Sequence, residues 1–185
     1  MSTMSPLDLY KNDFLSLVWL GLPLLLASIF EALLWKTALF NRLSYPIHVG
    51  LFGVNKKWRG LVSLPLTHLV SVWIFQMLEI GLKFNLKNII LLSSFNGILY
   101  GLLIGFIFNL SELPNSFIKR RLKISPGDES NPVFYWIDHM DSPYGVLLTL
   151  YVYFRLPLHL ILNGLWMTPL LFMGSTWLRK RLGVK

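Results

Sequence analysis

Apolar residues along this chain are gathered into long blocks, with short polar segments between them. A block of about 20 residues is long enough, as a helix, to cross a hydrocarbon core of roughly 30 Å. The pattern predicts five such spans: about Phe14 to Trp35, Leu61 to Ile80, Ile89 to Leu110, a fourth ending at Phe154, and Leu156 to Leu178. The fourth differs from the rest. Only Tyr144 to Phe154 is continuously apolar, too short to cross. Extending it back to Pro132 gives about 23 residues but takes in Asp138 and Asp141. Acids at that depth are costly unless they face a polar cavity or a bound cation. The alternative is a polar re-entrant segment that leaves four spans.

Loop charge favours five. Of the 17 lysines and arginines, thirteen then fall on one side: Lys36, Arg42, Lys56, Lys57 and Arg59; Lys119, Arg120, Arg121 and Lys123; and Arg179, Lys180, Arg181 and Lys185. Lys11, Lys83, Lys87 and Arg155 fall on the other. The basic-rich side is the cytoplasmic one, which puts the N-terminus outside and the C-terminus in the cytoplasm. Removing the fourth span would move the tail across and spoil the bias. The expectation is therefore an all-α, polytopic membrane protein, a single transmembrane domain over residues 1–185. The first block lacks a positive leading region and a small-residue cleavage site, so it reads as a retained span.

Composition agrees with this class. Only 14% of residues are charged, well below the ~25% usual for soluble domains. Mean hydropathy is +0.56. The net charge of +8 would suit a nucleic-acid partner in a soluble protein, but here membrane-face anchoring accounts for it, and no nucleic acid is expected. With no cysteine, thiolate chemistry and disulfides are excluded.

Three polar segments converge on the predicted cytoplasmic face: Pro46 to Gly60, Glu112 to Asp128, and Asp138-His-Met-Asp141. Asp138 and Asp141, three apart, share one face of a helix. Two such carboxylates repel unless they are protonated or share a cation, and an oxygen-only site suits Mg²⁺. Lys119, Arg120, Arg121, Lys56 and Arg59 would supply the positive charge that phosphoryl chemistry needs opposite the acids. The competing reading is that acids and bases simply neutralise each other, and that the Lys-Arg-Arg run anchors the protein to anionic lipid. Asn115 and Asn55 could orient a phosphate or ribose, or cap a helix. His139 follows Asp138 directly and so points to a different face. Gly97, Gly101 and Gly105 could form a helix-packing ridge.

The blocks Phe52-Gly-Val-Asn-Lys-Lys-Trp-Arg-Gly60, Glu112-Leu-Pro-Asn-Ser-Phe-Ile-Lys-Arg-Arg-Leu-Lys-Ile-x-Pro-Gly127 and Asp138-x-x-Asp141 resemble the CDP-archaeol synthase family, relatives of the CDP-diacylglycerol synthases, over roughly Asn41 to Asn163. The resemblance implies a Mg²⁺-dependent enzyme of five membrane helices whose polar site opens to the cytoplasm. It implies a nucleotidyltransferase that condenses CTP with a lipid phosphate, giving a CDP-lipid and pyrophosphate. Asp138 and Asp141 match the family's metal-binding acids. Lys119, Arg120 and Arg121 match its phosphate-facing run, and Lys56 and Arg59 its other basic block. Asn115 and Ser116 match polar residues of its nucleotide site, and Asn55 falls within the matching block beside Lys56. His48 stands where an aspartate is expected, Val54 where an acid is common, and Lys57 where a threonine is usual. The rival reading is a non-catalytic membrane protein that binds anionic lipid or nucleotide with the same basic patch. Oligomeric state is not legible in the sequence.

Overall fold

The computed structural model describes residues 5–84, 88–128 and 130–181, without the side chains of residues 172 and 175–180. Lys87 and Lys185, counted above, lie outside the described residues, as do the side chains of Arg179 and Lys180. The elements are α1 (Pro6–Leu34), α2 (Ala38–Asn41), α3 (Val49–Phe52), α4 (Trp58–Gly81), a 3-10 turn (Leu92–Ser94), α5 (Gly97–Leu110), α6 (Glu112–Arg121), α7 (Pro132–Val152) and α8 (Leu158–Arg181). Among the described residues there is no strand, only an isolated bridge between Pro46 and Lys57.

The caps explain where the rods begin. Ser5 accepts the Asp8 N–H with Pro6 at the first helical position of α1. Asn96 accepts the Leu99 N–H to start α5, and Asn131 accepts the Val133 and Phe134 N–H groups to start α7, again with a proline at its first position. Five long rods result. α4 packs on α1 and α5, α5 on α7, α7 on α8, and α8 returns to α1, so the bundle closes into a ring. Leu17 and Leu20, Val72, Tyr100 and Ile104, Leu147 and Leu150, and Leu160 and Met167 meet in its core.

The glycine ridge is a packing device. A Cβ on Gly101 would come within 2.5 Å of the Leu69 Cα, and one on Gly105 within 2.7 Å of the Pro65 Cα. These glycines let the α4 and α5 backbones touch, as small residues do where apolar burial cannot drive helix association.

Large apolar side chains face outward all round the ring, among them Leu25, Ile29, Leu66, Met77, Phe106, Leu148, Leu162 and Trp166. A surface this apolar belongs in a bilayer rather than in water. Pro6–Leu34, Trp58–Gly81 and the α5–α6 unit Gly97–Arg121 are each long and apolar enough to cross. The apolar part of α8, Leu158–Leu171, is shorter, and α7 carries Asp138 and Asp141. The chain is thus a multi-pass helical membrane protein in which three crossing helices are evident.

The third expected span is corrected at its start: helix begins at Gly97, not near Ile89. The preceding residues are tied by a buried acid of α4 instead. Glu79 is 3% exposed. Its carboxylate accepts the Leu92 N–H at 2.7 Å, the Ser93 N–H at 2.6 Å and the Trp19 indole N–H at 2.5 Å. The Ser16 hydroxyl accepts the Ile90 N–H. Backbone donors that a helix would have satisfied internally are met by side chains, so the segment need not be helical. α1 also starts earlier than expected, at Pro6, and α6 follows α5 with scarcely a break.

Glu79→Ala should leave three donors, two of them backbone, without an acceptor. The expected cost is on the order of 3 kcal/mol or more, read as a lower melting temperature in detergent than that of the parent protein.

Candidate functional site

The end of the bundle opposite Glu79 gathers the C-terminus of α1, the N-terminus of α4, α6, and the first three turns of α7. α6 is short and decides what meets what. Its helical spacing buries Asn115, Ser116 and Lys119 on one face. Arg121 turns away and lays its guanidinium over the Phe117 ring at 4.9 Å.

Asn115 and Lys119 close on the two acids of α7. The Asn115 amide nitrogen donates to Asp138 Oδ1 at 2.6 Å and to Asp141 Oδ2 at 3.0 Å. The Lys119 ammonium donates to Asp138 Oδ2 at 2.7 Å. Asp141 Oδ1 accepts the Ser142 N–H at 2.7 Å. Each of the four carboxylate oxygens thus has one donor. Asn115 is not a cap: it is 6% exposed, and its own carboxamide oxygen is buried with no partner.

Around this clamp lies a cavity of about 210 Å³ lined by Phe52, Asn55, Lys56, Glu112, Ser116, Lys119, Arg120, Pro126, Gly127, Asp138 and Asp141. Gly53, at φ 88°, ends α3 in the left-handed region that favours glycine, and a Cβ there would press on Pro126 at 3.2 Å. That turn brings the Asn55–Lys56 pair against α6.

A second cavity, about 360 Å³, lies between α1, α4 and the start of α6 and is lined by Glu31, Trp35, Ile47, Asn55, Lys56, Lys57, Arg59, Gly60, Leu61, Asn109, Glu112 and Leu113. Asn55, Lys56 and Glu112 belong to both cavities. Lys56 and Glu112 form an ion pair at that junction, and the Ser142 hydroxyl also donates to Glu112 at 3.0 Å. Beyond the junction a relay fixes the far wall. The Trp35 indole donates to the Ser63 hydroxyl at 3.0 Å, Ser63 donates to Glu31 at 2.5 Å, and Arg59 stacks on Trp35 at 4.0 Å.

The residues singled out from sequence therefore divide. Asp138, Asp141, Lys119, Arg120, Asn115, Ser116, Asn55 and Lys56 come together. Arg59 lies across the junction in the larger cavity, and Arg121 lines neither. Glu112, Glu31 and Ser63 were missed. Glu112 stands inside a quoted block without a role of its own, and nothing in the spacing joins Glu31 to Ser63. His139 bonds back to the Tyr135 carbonyl at 2.7 Å within its own helix. Asp128, in the loop after Gly127, has its carboxyl held below the usual range by hydrogen bonds from Ser130.

The acids fit a magnesium ion. They offer hard oxygens on a polar cavity, with spare lone pairs and the unpartnered Asn115 oxygen beside them. Among the described residues no group of three or more His, Cys, Asp or Glu side chains is gathered; Mg²⁺ is commonly bound by one or two carboxylates together with substrate phosphates.

His48, one of the departures, caps α3 by accepting the Leu51 N–H on Nδ1 at 3.2 Å, and it lines neither cavity. An aspartate does the same job at a helix start. Lys57, another departure, lines the larger cavity and donates to Ser44 at 3.3 Å, while Val54 is half exposed.

Comparison with known proteins adds one match. The family model described as CarS-like: CDP-archaeol synthase matches residues 12–185, nearly the whole chain. No curated protein and no solved structure matches.

The capping role sets an expectation for position 48. His48→Asp should melt at or above the parent, and His48→Ala about 1 kcal/mol below it, in thermal unfolding monitored by circular dichroism.

Proposed function

This chain belongs to the CDP-archaeol synthase family, and from that premise we propose that it transfers the cytidylyl group of CTP to a membrane lipid phosphate. The family marks it as a CTP-dependent transferase of lipid synthesis at the membrane. The observation that supports the specific reading is the convergence of the acid pair Asp138/Asp141 with Lys119, Arg120 and Lys56 on one cavity.

In the proposed reaction an oxygen of the lipid phosphate forms a bond to the α-phosphorus of CTP. The bond from that phosphorus to the β-phosphate oxygen breaks, and pyrophosphate leaves with the electron pair. The attacking phosphate is already anionic, so no base is required. What the protein must supply is position and positive charge. Mg²⁺, held by Asp138 and Asp141, would neutralise phosphate charge and stabilise the leaving group. Lys119 and Arg120 offset charge on the polyphosphate, and Lys56 reaches the junction where two phosphate groups would meet. Asn115 holds both carboxylates in place through its two N–H groups. Ser116 and Asn55 offer hydrogen bonds to the nucleotide along the same wall.

The cytoplasm is where CTP is available, and the basic-rich face is the one that carries this site. Five crossings, with the N-terminus outside and the site facing inward, accommodate both. α7 would then be the fourth crossing. Asp138 sits only ~9 Å along it from Pro132, close to the polar face rather than at mid-bilayer.

Purified protein given CTP, Mg²⁺ and a panel of phosphatidic, ether-linked and polyprenyl phosphates should release pyrophosphate and place labelled cytidine in the lipid phase. Asp138→Asn and Asp141→Asn should each lower kcat by ~10²-fold or more while the protein stays monodisperse in detergent, and chelation of the divalent ion should stop turnover. No release across the panel by folded protein would favour the non-catalytic lipid- or nucleotide-binding reading.

A further inference from the structure

Two phosphate-bearing substrates must meet for the transfer proposed above, and the polar end of the bundle holds two charged cavities that share one ion pair. They are not equivalent. The smaller holds Asp138 and Asp141 and is walled by α6, α7 and the loop at Gly127. The larger lies on the α1–α4 seam and presents Lys57 and Arg59. Along the same seam runs an apolar groove of about 410 Å³, lined by Phe30, Leu33 and Leu34 of α1 and by Leu66, Thr67 and Val70 of α4.

Sequence proximity joins groove to cavity. Phe30 directly precedes Glu31 on α1, Leu34 directly precedes Trp35 at its C-cap, and Leu66 stands ~7.5 Å along α4 from Leu61. The groove is open to the surroundings: Leu33 is 55% exposed, and Leu66 and Val70 45% each. Cations, then the Trp35 ring, then an apolar channel, is the order of chemistry along an anionic lipid, and tryptophan is a residue that favours the membrane interface. The cationic part is built rather than merely charged. Stacking on Trp35 fixes the plane of Arg59, and the Trp35–Ser63–Glu31 relay fixes the ring, so the guanidinium can present its N–H edge to phosphate oxygens.

We propose that the acceptor lipid binds on the α1–α4 seam, with its phosphate in the larger cavity against Lys57 and Arg59 and its hydrocarbon chain in the groove between Phe30, Leu33, Leu66 and Val70. The nucleotide occupies the acid-bearing cavity, and the two phosphates meet at Lys56, released from Glu112. This allocation rests on the cytidylyltransferase reading for its chemistry, but the lipid site can be tested without turnover.

The probe is a long-chain lipid monophosphate with a diazirine on its chain, irradiated with the full-length protein in detergent and mapped by mass spectrometry. Labels are expected on residues 30–34 and 66–70, with about ten-fold less labelling in Arg59→Ala and none from the matching lipid alcohol. Labels concentrated on other helix faces, or equal labelling by the alcohol, would overturn the proposal. In steady-state kinetics, Val70→Trp should raise KM for a long-chain acceptor at least several-fold while leaving KM for CTP unchanged. Arg59→Lys should restore part of the labelling lost in Arg59→Ala. A rise in the KM for CTP alone in Arg59→Ala would assign Arg59 to the nucleotide instead and sink the allocation. Seam labelling without any CTP turnover would keep the lipid site and reject the transferase reading; turnover with labels elsewhere would do the reverse.

Discussion

A carboxylate withdrawn from water must be met by hydrogen-bond donors, and that requirement organises this bundle from end to end. Apart from the exposed Asp8, which bonds the cap of its own helix, the acids of the rods meet donors from other elements. Asp13 of α1 accepts from His159 and Asn163 of α8 at 2.8 and 2.6 Å. Glu79 of α4 holds the segment before α5 and the indole of Trp19. Glu31 of α1 takes the Ser63 hydroxyl of α4. Asp138 and Asp141 of α7 take the Asn115 amide of α6. Apolar packing between helices in lipid is weakly directional, because the lipid is as apolar as the side chains. These polar contacts, with the glycine ridge, therefore do much to select which rods neighbour which.

The two ends use the same physics for different purposes. At the Glu79 end the donors match the acids and the apolar core closes over them. At the other end, acids and bases outnumber the contacts that would seal them. Asp138 is only partly covered, the Asn115 oxygen and the Arg120 Nε are buried with no partner, and two cavities remain between the groups. A cluster kept polar and open at some cost in stability is what a site for charged substrates requires.

α6 is the hinge between fold and chemistry. It continues the direction of α5, whose position is set by close contact with α4, and presents Asn115 and Lys119 to α7 while Glu112 meets Lys56. The acid pair is thereby placed by a chain of packing contacts that begins at Gly101 and Gly105, well away from the cavity.

Several features were legible in the sequence alone. Block hydrophobicity determined a multi-pass helical protein, because backbone groups in lipid must be satisfied within each helix. The three-residue spacing of Asp138 and Asp141 determined that they share a face, and the quoted blocks determined the family. The sequence could not show that Arg121 leaves its neighbours, since a residue's direction on so short a helix depends on which face is buried. Nor could it show that the Lys56–Arg59 block is split between two cavities, that Glu112 links them, or that Glu31, Ser63 and Trp35 brace Arg59. Those are contacts between residues 24 to 56 positions apart, and no local periodicity encodes them. The start of α5 was misread for the same reason: an apolar run looks helical until a distant acid, here Glu79, supplies its backbone with partners. The tertiary structure decided these points because long-range hydrogen bonds compete with helix formation only once the other helices are in place.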